Sequence, residues 1–133
     1  MIPSPHNTKG FSLMELIAVM VIMVAMIGFF VRAYNSFVDK AKLTSSISAL
    51  KTLKSEIDNY SHAKGSFPAS IDFNSFTDQD GAPVIDQTLV ADLKLRINTW
   101  ESYSSTKDSY ILQARAKNSA NALLTLTPKD ITY

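Results

Sequence analysis

A single acidic residue, Glu15, lies inside the longest apolar segment of the chain, residues 11–31. That segment contains no other charged side chain, and Arg32 follows it directly. A carboxylate inside a membrane span costs on the order of 2–3 kcal/mol even on lenient insertion scales, and such residues are usually functional and have a partner. The position of Glu15 therefore indicates a functional carboxylate in a segment that enters a membrane.

Three further carboxylates, Asp78, Asp80 and Asp86, lie in a segment rich in turn-forming residues. Carboxylate oxygens are ligands that calcium prefers, so a calcium site is one interpretation of this segment. However, the order Asp-Gln-Asp-Gly lacks the third ligand before the glycine and the terminal glutamate of an EF-hand loop. Turn formation is the favoured interpretation. We expect no metal and no cofactor, with calcium as the less favoured alternative.

The composition gives little support to catalysis or nucleic-acid binding. The chain has no cysteine, and His62 is the one histidine beyond residue 10, so neither a zinc site nor a cysteine nucleophile is expected. No serine is marked as activated, and we expect a non-enzyme. The 13 basic and 12 acidic residues nearly cancel, which gives no bulk attraction for nucleic acid. Lys94 and Arg96 on one strand face are more simply interpreted as a solvated edge than as a DNA contact.

The element that must position Glu15 is a long helix. As a helix, residues 11–31 would span roughly 32 Å, enough to cross the hydrocarbon core of a bilayer. Beyond Arg32 the pattern becomes amphipathic, and its apolar side chains recur at steps of three and four, which predicts one helix to about His62. The face to be buried comprises Phe37, Leu43, Ile47, Leu50, Leu53, Ile57 and Tyr60.

The rest of the chain is predicted to form a small β-rich head. Gly65 and Pro68 end the helix, and residues 69–91 form an irregular loop with one helical turn at 89–93. Alternating apolar and polar side chains predict three antiparallel strands, at residues 93–103, 109–116 and 122–127. The expected fold class is α+β, with the amphipathic half of the helix packed on an antiparallel β-meander.

The junction before the apolar segment carries a specific motif. Its residues are Lys9, Gly10, Phe11, Ser12, Leu13, Met14, Glu15 and Leu16. This order resembles the prepilin peptidase motif of type IV pilins and pseudopilins. The resemblance implies cleavage between Gly10 and Phe11, N-methylation of the new Phe11 amine, and pairing of Glu15 with the Phe11 amine of a neighbouring subunit during assembly. It also implies a leader at 1–10, a membrane and filament-core helix at 11–31, and the amphipathic half-helix with the head at 32–133.

The function implied by the resemblance is that of a structural subunit of a type IV pilus or related filament. The precursor would wait in the inner membrane as a single-pass protein, and the filament would lie at the cell surface or in the periplasm. Expected partners are other copies of the chain and other pilins, the prepilin peptidase, the inner-membrane assembly machinery and membrane lipid. The alternatives are a type II secretion pseudopilin and a minor or competence pilin that binds DNA. An uncleaved signal anchor is the alternative outside the family.

Overall fold

The computed structural model describes residues 2–3 and 10–133, and these residues form two helices and one four-stranded sheet. In chain order the elements are α1 (Leu13–Lys64), α2 (Gln87–Arg96), β1 (Ile97–Ser105), β2 (Tyr110–Ala116), β3 (Leu123–Leu126) and β4 (Ile131–Thr132). The chain divides into two compact units. We call them the N-terminal unit, which ends at Phe37, and the globular unit, Val38–Tyr133.

The N-terminal unit is an exposed apolar helix. Every side chain from Gly10 to Phe37 is exposed, including large ones such as Phe29 and Phe30, which are 80 % and 65 % exposed. This part of α1 is long and apolar enough to cross a membrane, and none of its apolar window is buried. A helix of this kind near the N-terminus is a possible membrane anchor or signal sequence.

In the globular unit, one face of α1 is buried. Leu50, Leu53 and Ile57 are fully buried at helical spacing, while Leu43, Ile47 and Tyr60 pack at the edge of the core. Phe37 was wrongly assigned to this face: it is 72 % exposed and belongs to the N-terminal unit. Two small residues, Ser46 and Ala49, are buried in addition, and the Ser46 hydroxyl bonds to the backbones of Arg96 and Lys117.

The helix ends as predicted. Gly65 adopts a φ of +79°, the left-handed conformation that glycine accepts without a Cβ clash. Its N–H donates to the carbonyl of Ser61 at 2.8 Å, so the last turn is closed by a backbone hydrogen bond.

The sheet is an antiparallel meander in the order β1-β2-β3-β4. In β2 the side chains of Tyr110, Leu112 and Ala114 are buried, while the intervening residues point away from the core. The α+β class and the packing of the helix on a small antiparallel sheet are confirmed. The short strand β4 is a fourth strand that the sequence pattern did not predict, since two residues are too few to show alternation.

The start of the first strand was predicted wrongly. Residues 93–96 belong to α2 and not to a strand, so α2 also replaces the single helical turn expected at 89–93. The helix buries Val90 and Leu93, three positions apart, whereas Leu95 is 68 % exposed. Lys94 and Arg96 therefore lie in the last turn of a helix and not on a strand face.

The loop between α1 and α2 is fixed to β1 by aromatic and polar contacts. The ring of Phe73 stacks on Trp100 with 5.2 Å between centroids, and the buried Phe76 meets Trp100 edge-on. At the start of the loop, the hydroxyls of Tyr103 and Ser105 donate to the Pro68 carbonyl at 2.8 and 2.7 Å. These contacts hold the loop that carries Asp78 against β1.

Candidate functional site

The described residues of the proposed cleavage site are fully accessible. Gly10 and Phe11 are exposed and precede α1, and Phe11 is 83 % exposed. Apart from its chain neighbours, no described residue has an atom within 4 Å of the place that a Cβ on Gly10 would occupy. The basic residue of the motif, Lys9, and most of the leader lie outside the described residues. A larger side chain at position 10 thus meets no obstacle in the part of the chain that the structure describes.

Ser12 and Glu15 form a reciprocal pair at the start of α1. The Ser12 N–H donates to the Glu15 carboxylate at 2.9 Å, and the Glu15 N–H donates to the Ser12 hydroxyl at 3.2 Å. This is the capping-box arrangement, in which two backbone donors that the helix leaves unpaired are satisfied by side chains. A carboxylate in the first turn also interacts favourably with the helix dipole.

The capping box gives Glu15 a local role that the sequence analysis missed. The spacing serine, two residues, glutamate before an apolar run is itself a known signal for a helix start, so it was available in the sequence. Glu15 remains exposed, and the charge of its carboxylate is not neutralised by a cation among the described residues. The arrangement can therefore cap the helix within the chain and still attract a cationic group from another molecule.

In the globular unit, Asp78 is buried and its oxygens are bonded within the chain. One oxygen accepts from the N–H groups of Asp80 and Ala82 at 2.9 and 2.8 Å, and the other accepts from the Tyr60 hydroxyl at 2.5 Å. Asp78 itself is 6 % exposed. It thus joins the end of α1 to the loop that follows.

These hydrogen bonds shift the acidity of both partners. The hydrogen bond from Tyr60 lowers the pKa of Asp78 below its ordinary value, aided by the N–H groups of Ala82 and Asp80 and opposed by burial. The same hydrogen bond, with burial, raises the pKa of Tyr60 to about 12. At neutral pH the pair is therefore a phenol that donates to a carboxylate.

The three carboxylates considered for calcium occupy different settings. Asp86 is the N-cap of α2, and its side chain accepts from the Thr88 N–H at 2.9 Å, which lowers the pKa of Asp86. Asp80 is exposed, and its N–H is bound to Asp78. Within residues 2–3 and 10–133, no three His, Asp or Glu side chains are grouped so that they could hold a metal ion. Asp78 and Asp86 each have a structural role of their own.

Comparison of the chain with protein-family models, with curated proteins and with solved structures finds no match in any of the three. The functional interpretation therefore depends on the residues and their arrangement.

Proposed function

We propose that this chain is a structural subunit of a type IV pilus or a related filament. It is made as a membrane-inserted precursor, cleaved between Gly10 and Phe11, N-methylated at Phe11 and assembled through Glu15. It performs no catalysis, and its partners are copies of itself and other pilins, the prepilin peptidase and the assembly machinery of the inner membrane. The finished filament lies at the cell surface or in the periplasm.

The observation that carries this proposal is the lone carboxylate of Glu15 in an exposed apolar helix, five residues after Gly10. An exposed apolar surface of this length needs lipid or other protein chains to cover it. The carboxylate needs a cationic partner once it leaves water. A new amine at Phe11 on a neighbouring subunit supplies that partner, and helix-to-helix packing in a filament covers the surface.

An uncleaved membrane anchor is the second candidate, and the capping box favours it. Because Ser12 and Glu15 satisfy each other, the carboxylate has a reason to be present without any second subunit. The two candidates differ in the N-terminus of the protein: the anchor keeps Met1, whereas the filament subunit begins at Phe11.

N-terminal sequencing of the protein from membranes distinguishes these candidates. We expect the sequence to begin at Phe11, with a methylated amine detected by mass spectrometry. Gly10→Val should prevent cleavage, because the peptidase must accommodate position 10, whereas the described residues of the chain leave room for the side chain. Gly28→Val, at a glycine inside α1 whose surroundings are equally open, is the control and should still be cleaved. A wild-type protein that begins at Met1 would contradict the proposal.

Electron microscopy separates the members of this functional class. Long surface fibres that contain the chain indicate a pilus subunit, and short periplasmic assemblies indicate a secretion pseudopilin.

A further inference from the structure

Three basic side chains of the globular unit line one small cavity. Lys42 from α1, Arg96 from the end of α2 and Lys117 after β2 surround a cavity of about 80 Å³, together with Ser45 and Leu95. Three separate segments of the chain thus bring positive charge to one place. We call this cluster the basic pocket.

The basic pocket is held together by a fully buried hydroxyl. Ser46 Oγ lies 2.6 Å from the Arg96 carbonyl, to which it donates, and it accepts from the Lys117 N–H at 3.2 Å. Because Ser46 is on α1, this one side chain fixes the backbones of all three segments relative to each other. The positions of the cations are therefore determined by the fold of the globular unit.

The positive charge of the pocket is only partly neutralised. Arg96 pairs with Asp92 at 3.0 Å, and the Lys117 ammonium donates to the Leu95 carbonyl at 3.1 Å. In the described part of the chain, Lys42 and Lys117 form no ion pair with a carboxylate. The pocket therefore carries at least two cationic groups that are available to an anion.

An exposed apolar side chain accompanies these cations. Leu95 lines the pocket and is 68 % exposed, although it is a large hydrophobic residue. Cations beside an exposed apolar group are typical of surfaces that lie at the boundary between headgroups and acyl chains. Free phosphate fits this combination less well, because it has no apolar group that could contact Leu95.

The pocket also lies close to the apolar segment along the chain. Tyr34 and Phe37 are exposed aromatic residues after the end of that segment, the position at which aromatic side chains mark the membrane interface. Lys42 follows Phe37 by five residues along the chain. This short separation along the chain favours a lipid headgroup as the anion that the pocket binds.

We propose that the basic pocket binds the phosphate groups of anionic phospholipids and holds the globular unit at the bilayer surface while the precursor waits in the membrane. This inference rests on the membrane-inserted precursor of the proposed function. Lys42 and Lys117 contact the phosphate, and Leu95 contacts the upper part of the acyl chains. The contact is electrostatic, so it is reversible when the subunit leaves the membrane.

The absence of cysteine allows a direct test with the full chain. A single Ser119→Cys substitution, two residues after Lys117, carries a spin label in vesicles of phosphatidylcholine with or without phosphatidylglycerol. We expect phosphatidylglycerol to protect this label from a water-soluble nickel chelate. A label at Lys107→Cys, beyond the far end of the nine-residue strand β1 and thus about 30 Å away, should show no such protection.

The variant Lys42→Gln/Lys117→Gln tests which residues bind the lipid. Each basic residue near an anionic surface contributes roughly fivefold in binding, so the double variant should lose the protection. The control variant Lys51→Gln/Lys129→Gln removes the same charge from exposed lysines outside the pocket. In this variant the label should still be protected. High salt should abolish the protection in the parent chain, because it screens the interaction.

The outcomes separate this inference from the function on which it rests. If the chain does not float with vesicles of either composition, the membrane-inserted precursor itself is refuted, and the inference with it. If the chain floats and the Ser119 label is equally accessible in both lipids, the lipid contact alone is refuted. Equal protection in pure phosphatidylcholine also refutes it, since that result indicates a second copy of the chain or a purely apolar contact.

Discussion

Glu15 has one role within the chain and, in the proposed filament, a second role between subunits. Within the chain its carboxylate accepts the Ser12 N–H and completes the capping box of α1. In the proposed filament the same carboxylate faces the Phe11 amine of a neighbour. The two roles make different demands on chemistry, because capping needs only an acceptor, whereas the pair with an amine needs a negative charge.

Glu15→Gln separates these roles, since glutamine also completes a capping box. We expect the variant to be inserted and cleaved normally, but to form few or no filaments. Breaking a buried ion pair by removing one partner typically costs about 3–5 kcal/mol, which is large for the docking of one subunit. The measurement combines a blot for processed protein in membranes with filament counts.

Glu56→Gln is the matched control, because Glu56 lies in the same helix but far from the N-terminus. This variant should assemble normally. Filament numbers equal to those of the parent in a strain that makes only Glu15→Gln would refute the ion pair and leave capping as the role of Glu15.

The hydrogen bond between Tyr60 and Asp78 makes the stability of the globular unit dependent on pH. Because the folded-state pKa of Asp78 lies below the unfolded value of about 3.9, the ionised carboxylate stabilises the fold above that pH. This contribution is lost as the pH falls through the lowered pKa. We therefore expect the melting temperature to fall on acidification below about pH 4.

Tyr60→Phe should reduce the fall in melting temperature below about pH 4. It should also lower the free energy of unfolding at neutral pH by about 1 kcal/mol. Asp86, whose pKa is also lowered, should leave a residual slope. Tyr133→Phe, at a residue that is 74 % exposed, should change neither property. Thermal unfolding at several pH values provides the measurement, and an unchanged acid profile in Tyr60→Phe would contradict the assignment.

Among the elements, α2 contains two conflicting local signals: a capping residue that favours a helix and an alternating pattern that favours a strand. Asp86 accepts the Thr88 N–H and starts a helix that runs to Arg96, across residues whose alternation resembles a strand. The side chains at positions 90 and 93 then reach the core together, since three positions bring them to one helix face. Strand pairing begins only at Ile97, opposite Ala116.

The cap of α2 can be tested with two substitutions at one position. Asp86→Ala removes the acceptor for the Thr88 N–H and should lower the melting temperature of the globular unit. Asp86→Asn retains a capping oxygen and should be close to the parent at neutral pH. Asp108→Ala, at an exposed aspartate in the turn between β1 and β2, is the control. If the melting temperature is equally low in Asp86→Asn and Asp86→Ala, the negative charge of Asp86 and not its capping hydrogen bond stabilises the globular unit.

At the scale of the whole molecule, the described core lies entirely within the globular unit. Every buried side chain lies at or after Ser46, and the Asp39 carboxylate accepts the Ser119 N–H at 2.6 Å. The amphipathic half of α1 is thus part of the core of this unit, whereas every side chain from Gly10 to Phe37 is exposed.

A fragment of residues 39–133 should therefore be a soluble, folded monomer. We expect circular dichroism typical of mixed helix and strand, and one cooperative thermal transition. A fragment of residues 66–133 is the control: it lacks Leu50, Leu53 and Ile57 and should not fold, because the sheet loses the helix that covers it. A spectrum of the longer fragment without strand content would contradict the fold described above.

Much of the architecture was determined by the sequence alone. The apolar segment, the continuation of the helix, its end at Gly65 and the alternation in β2 follow from local patterns, since burial repeats at the period of each element. The tertiary structure decided what depends on distant partners: Tyr60 with Asp78, Ser46 with Arg96 and Lys117, and β4 with β3. It also decided that residues 93–96 are helical. Such features come from contacts between segments far apart in the chain. The local periodicity of the sequence does not show which segments will make contact.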